Sequence, residues 1–130
     1  MAFGVQWLQG KIMGAHAVEL TDDVIDLVAQ RFRLLGEPMR LRLLRSLETG
    51  ELTVNQLAEM LDSNQANISR HLTAMFEAGL LNRRRDGNNA YYSIADPVVF
   101  SLCELVCNSV REQLRLRLGA LGVPNVRRAD

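Results

Sequence analysis

Residues 53–94 constrain the fold of this chain more than any other stretch. Thr53 to Leu61 brings Val54, Leu57, Ala58 and Leu61 round at three- and four-residue steps, which is one face of a short helix. Asp62-Ser63-Asn64 breaks that period with three polar residues. A second helix follows from about Gln65 to Ala78, with Asn64 placed to cap its start. It stops at Gly79, a residue suited to the position just past a helix end. Leu80 to Arg85 and Ala90 to Ile94, joined by Asp86-Gly87-Asn88-Asn89, then read as a β-hairpin. The Asp-Gly pair supplies the turn, and Tyr91 and Tyr92 supply strand propensity. Two short helices on a polar turn with a hairpin directly behind them predict a winged helix-turn-helix: mainly α, with a small β-hairpin wing.

The flanks extend this unit. Thr21 is a good N-cap, and Asp22 and Asp23 put negative charge in the first turn, where the helix dipole favours it. Val24, Leu27, Val28, Phe32 and Leu35 then mark one apolar face up to Gly36. Pro38 opens the next helix, where its missing N–H costs nothing. Leu41, Leu44 and Leu47 are its expected buried side, with Arg40, Arg42 and Arg45 mostly outside and Gly50 closing it. A last helix runs from Asp96-Pro97 to about Leu118 with Val99, Leu102, Val106, Val110 and Leu114 as a stripe. Phe100, Leu105, Leu116 and Leu118 lie beside it. One small core cannot cover so wide an apolar face, so a partner helix is expected and with it a homodimer formed through the terminal helices. Residues 1–20, with Gly4, Gly10 and Gly14, read as a flexible N-terminal arm. Residues 21–118 read as the winged-helix domain, and 119–130 as a flexible tail.

A chain of 130 residues holds one core. Fifteen basic residues cancel fifteen acidic ones, so total charge does not point to nucleic acid. Distribution is more informative: Arg31, Arg33, Arg40, Arg42 and Arg45 cluster early, and Arg83, Arg84 and Arg85 form a triplet. Fourteen of the fifteen basic residues are arginine, the side chain that makes bidentate contacts with phosphate and guanine. No apolar run is long enough to span a membrane, and the first twenty residues hold no unbroken apolar segment of the secretory kind. The expected location is the cytoplasm. Two histidines, no glycine-rich phosphate loop and no convergent carboxylate pair offer little for catalysis, so no enzymatic role is expected.

In helix-turn-helix docking the second helix enters the major groove, its N-terminal residues meeting base edges. At about 100° per residue, Ile68, Leu72, Met75 and Phe76 share an anchoring arc. The opposite arc holds Ala66, Asn67, Arg70, Thr73 and Glu77. Arg70 is the leading candidate for a base contact, bidentate to guanine, and Asn67 is suited to adenine. Gln65, Ser69 and His71 fall on the flanks, where phosphates would lie; for His71 a packing role is equally open. Asn64 caps the helix, whose open N–H groups also suit a phosphate. In the wing, Arg83 and Arg85 share one side and Arg84 takes the other, while Asn88 at the tip is suited to phosphate. The competing readings are a solvated helix face and an edge strand charged against aggregation. A winged helix used only for protein–protein contact is the functional alternative.

Four segments together resemble the ArsR/SmtB family of bacterial metal- and stress-responsive repressors: FRLLGEPMRLRLLRSL (32–47), GELTVNQLAEML (50–61), SNQANISRHLTAMFEAGLL (63–81) and RRRDGNNAYYSIADP (83–97). The resemblance covers roughly residues 24–115. It implies a homodimer whose first and last helices form the interface, bound to an inverted-repeat DNA operator and released when an effector binds or oxidises it. Two heads related by a two-fold axis would sit roughly 34–36 Å apart.

The family's metal patterns are absent here. Where the resemblance would put Glu-Leu-Cys-Val-Cys-Asp, this chain has Glu51-Leu52-Thr53-Val54-Asn55-Gln56. The last-helix zinc pattern falls on Asp96, Val98, Ser109 and Glu112, without either imidazole. No metal site and no required cofactor are expected. Cys103 and Cys107, an i, i+4 pair on the last helix, are either small packing residues or a thiol sensor. A sensor would take a soft metalloid such as trivalent arsenic, or be oxidised. His16, in the arm, is a weak ligand candidate.

Overall fold

The computed structural model describes residues 19–122. The chain divides between Leu34 and Leu35 into two compact units.

Helix α1, Asp22–Leu35, makes up most of the described part of the first unit. Thr21 caps it as expected, its Oγ1 accepting from the Val24 N–H at 3.4 Å. Of the apolar face predicted for it, Leu27 is 63% exposed, Val28 and Phe32 are also exposed, Val24 is half-buried and Leu35 is buried.

The second unit begins with α2, Pro38–Ser46, which tightens into a 3-10 turn over Leu47–Thr49. A two-residue strand β1, Leu52–Thr53, leads directly into α3, Val54–Met60. Next come α4, Gln65–Glu77, the strands β2, Leu81–Asp86, and β3, Asn89–Ile94, and the long α5, Pro97–Ala120. The sheet is antiparallel in the order β1-β3-β2. Strand β1 was not expected, because two residues carry no periodicity. It exists because Leu52 and Thr53 find Tyr92 and Tyr91 opposite them.

The core lies among α2, α3, α4 and the base of the hairpin. Leu43, Leu44, Leu57, Ile68, Leu72, Met75 and Leu80 are its fully buried side chains. Burial of each leucine-sized side chain contributes about 1.5–3 kcal/mol. On α2 the buried face is rotated from the expected one. Leu43 is buried beside Leu44 and Leu47, whereas Leu41 is 38% exposed. Arg40 stands at the edge of this face, its partly buried side chain donating Nε–H to His71 Nδ1 of α4.

Local chemistry fixes the joints. Thr53 starts α3 with a reciprocal capping box: its Oγ1 accepts from the Gln56 N–H at 3.1 Å, and Gln56 Oε1 accepts from the Thr53 N–H at 2.9 Å. Asp62, in the turn between α3 and α4, has φ +50°, a left-handed conformation that aspartate tolerates better than most residues. The wing turns on Gly87-Asn88 alone, because Asp86 and Asn89 are still paired as strand residues. Of these only Gly87 has a positive φ, +61°, the type II′ pattern. Helix α5 passes through Gly119 and stops at Gly122, where φ is +74°. The left-handed residue that ends the helix is therefore the later glycine. The arm through residue 18 and the tail from residue 123 lie outside the described residues.

Candidate nucleic-acid interface

Helix α4 owes its start to Asn64, whose Oδ1 accepts from the Asn67 N–H at 2.7 Å. This satisfies one of the four open donors of the first turn. The Asn67 side chain is committed at both ends. Its Nδ2 donates to Ser63 Oγ at 3.1 Å, and its Oδ1 accepts from Arg70 Nη2 at 2.7 Å. Arg70 is exposed one turn further on, with its guanidinium steadied by that bond. The expected arc is thus present, but its two leading residues form one unit. For Asn67 to read adenine with both amide atoms, it would have to release both partners.

His71 departs from the phosphate-flank expectation. It is 7% exposed and packs inward with Ile68, Leu72 and Met75. Its pKa lies below the ordinary imidazole value, first because burial disfavours the cation and then because Arg40 and Arg70 stand nearby; Glu37 opposes them. A neutral ring leaves Nδ1 as the acceptor for Arg40. The packing alternative therefore describes this residue, and its contribution to the surface runs through Arg40.

Two recesses border the N-terminal half of α4. One is lined by Glu37, Pro38, Met39, Arg40 and Arg42 of the α2 side together with Asn67, Arg70 and His71. The other lies toward the wing, lined by Thr53, Val54, Asn55, Gln65, Ala66, Ser69 and the tip residues Asn88, Asn89 and Ala90. Gln65, Ser69 and Asn88 therefore come together on the wing side. Arg40, Arg42 and Asn55 were not among the expected contacts, although the early arginine cluster was a visible signal. Thr73 is half-buried, farther along α4.

The three wing arginines stand in different surroundings. Arg84 donates to both Glu51 carboxylate oxygens, at 2.6 and 3.3 Å, and lies 4.4 Å above the Tyr91 ring. That bond holds the exposed Glu51 carboxyl below the usual range. Arg83, paired across the ladder with the buried Tyr92, lies 4.2 Å over the Phe76 ring of α4. Arg85 is exposed near the tip. Arg83 and Arg85 share a side, as strand alternation requires, but Arg83 is also a brace between wing and α4.

On α5, Val99 is buried, while Leu105 is 67% exposed and Val106, Val110, Leu114 and Leu116 are also exposed. Cys103 is half-buried and Cys107 exposed. Burial, and secondarily Cys107, pushes the Cys103 thiol up, which keeps it protonated. Among the described residues no helix is long and apolar enough to cross a membrane, and no group of three or more His, Cys, Asp or Glu gathers to hold a metal ion.

A tri-helical core with an exposed second helix and a hairpin braced against it defines a winged helix-turn-helix protein. The backbone superposes on the homodimeric winged helix-turn-helix DNA-binding domain Mb0332 of Mycobacterium bovis with a TM-score of 0.65. The match has 32% identity and covers 75% of this chain and 93% of that one. The antimony-specific transcriptional repressor AntR gives a TM-score of 0.66 at 31% identity, over 76% of this chain and 91% of that one. Residues 37–83 match the family model for bacterial regulatory proteins of the arsR type. The chain belongs to the ArsR family of bacterial regulatory proteins. It is also 38% identical over 80 residues to a probable mercury resistance operon repressor of Streptomyces lividans. That alignment covers 62% of this chain and 64% of that relative's length.

Proposed function

We propose that this protein is a sequence-specific transcriptional repressor that binds an inverted-repeat operator as a homodimer. The observation that carries the reading is the Ser63–Asn67–Arg70 chain of hydrogen bonds on the open N-terminal arc of α4. It fixes an exposed guanidinium at the end of the helix that meets base edges in helix-turn-helix docking. Apart from Glu77 at its far end, the rest of that arc is uncharged, so the N-terminal half of the helix can approach a groove floor without burying a carboxylate. Gln65, Ser69 and Asn88 face the backbone on the wing side, Arg85 extends the wing, Asn64 holds the helix start, and Thr73 continues the arc. Dimerisation covers the open apolar face of α5, which is otherwise a liability in water.

Gel-shift and footprinting on the DNA upstream of the protein's own gene test this reading. The expected result is a two-fold symmetric footprint with half-sites about one helical turn apart. A wild-type protein that ignores duplex DNA at low salt would overturn it in favour of a protein-contact module.

The relatives' names, mercury resistance and antimony-specific, both refer to thiophilic elements. The Cys103/Cys107 pair on α5 is our candidate for receiving such an effector, with both copies of the helix contributing thiols where three are needed. Release of DNA by arsenite or an oxidant in the wild type, lost in the double serine variant, is the expected outcome. Release that persists in that variant assigns the thiols to packing.

A further inference from the structure

We infer that the recess between α2 and α4 seats a phosphate of the DNA backbone held by Arg40 and Arg42, with Arg70 at its rim left to the groove and His71 as the residue that positions Arg40. This rests on the placement of α4 in the major groove and adds to it the backbone contact on the side away from the wing. The recess brings together three guanidinium groups against a single carboxylate, Glu37. The wing-side recess has no charged lining residue. A third recess, around the α3–α4 turn, carries Glu59 and Asp62 and would repel a phosphate. The charge beside α4 is therefore one-sided, although the whole chain is neutral.

The arginines are also ordered in different ways. Arg70 is tied to Asn67, and Arg40 is tied through Nε to a buried imidazole 3.1 Å away. A partly buried arginine anchored on a histidine that stays neutral loses less side-chain entropy on meeting an anion than a solvated one. In helix-turn-helix complexes the recognition helix lies between two phosphate ridges, and α2 packs against α4 on the side away from the wing. Helix α2 carries Arg40 and Arg42 at the ridge on that side. The ligand is a phosphodiester monoanion of duplex DNA, independent of base sequence.

The test is a salt series of binding to a random duplex and to the upstream DNA, with ethylation interference on the latter. For every phosphate that the protein no longer neutralises, the slope of log K against log salt falls by about 0.9 in magnitude. Arg42→Gln, at an exposed helix position that leaves the fold intact, should lower the slope by about that amount per protomer on both duplexes. It should also remove one phosphate from the interference pattern of each half-site. Arg45→Gln, on the same helix but outside the recess, should leave both readouts unchanged. Arg40→Gln should behave as Arg42→Gln does. His71→Leu should follow Arg40→Gln, while His71→Asn, which keeps an acceptor near the Nδ1 position, should restore the slope.

Unchanged slopes and interference for Arg42→Gln in a protein that still prefers its operator would overturn the seat and leave the groove reading standing. Equal losses for Arg45→Gln and Arg42→Gln would replace the seat by a diffuse field. A wild type that binds neither duplex removes the groove reading and the seat with it.

Discussion

Asn67 accepts a hydrogen bond from Arg70 across one turn of α4 at 2.7 Å, and it donates its own amide to Ser63 in the turn before the helix. The guanidinium that the proposed operator contact depends on is thus held by the residue beside it. Arg70→Ala should cost about 1–3 kcal/mol of operator binding, roughly 5- to 160-fold, and much less on random duplex. Equal losses on the two duplexes would show that Arg70 touches only phosphate. Asn67→Ala should lower operator preference in the same direction by a smaller factor, and should add little to Arg70→Ala in a double-mutant cycle. Full additivity would make Asn67 an independent reader.

Dimerisation has a direct test on α5. Val106→Glu combined with Val110→Glu places two carboxylates on the exposed apolar stripe. The expected product is a folded monomer by sedimentation, with operator binding reduced far more than the helical signal in circular dichroism. A variant that remains dimeric would place the interface elsewhere.

Acid should destabilise the fold through His71. Its folded pKa is depressed, so the unfolded chain binds a proton more readily than the native one. The contribution of the neutral ring is complete above the ordinary value of 6.5 and is lost as pH falls below it toward the folded value. Urea midpoints measured from neutrality down to about pH 5 should fall, and His71→Asn should flatten that slope. An identical slope in the variant would assign the acid sensitivity to other groups.

Gly79 ends α4 with φ +81°, and a Cβ there would meet no atom within 4 Å. Gly79→Ala should therefore cost only the backbone term, about 1–2 kcal/mol of unfolding free energy. DNA affinity of the folded protein should stay unchanged. A much larger loss would mean the α4–β2 joint packs more tightly than its open surroundings indicate.

Thr53 both caps α3 and pairs with Tyr91 in the sheet. Thr53→Ala should cost about 1 kcal/mol, and adding Gln56→Ala should cost little more, because the two bonds form one box. Equal and additive losses would show two separate caps.

Much of this protein is decided by short-range rules that a linear reading captures. Thr21, Pro38, Asn64 and Gly79 mark helix ends through local hydrogen bonds and backbone preference. The α4 periodicity separates Ile68, Leu72 and Met75 from Asn67 and Arg70. The hairpin follows from Gly87 beside strand-forming Tyr91 and Tyr92. These depend on neighbours within about one turn, so the sequence alone determines them.

Tertiary structure decided what depends on partners distant in the chain. Residue 71 is buried rather than presented because Arg40, thirty-one positions away, supplies its hydrogen bond. Which leucines of α2 enter the core, Leu43 with Leu44 and Leu47 but not Leu41, was likewise settled by packing against the other elements. Strand β1 exists only because β3 folds back beside it, and Arg84 is drawn to Glu51 across that sheet. Periodicity tells which side chains share a face; only packing tells what each face meets, because burial and pairing energies are set by the other elements.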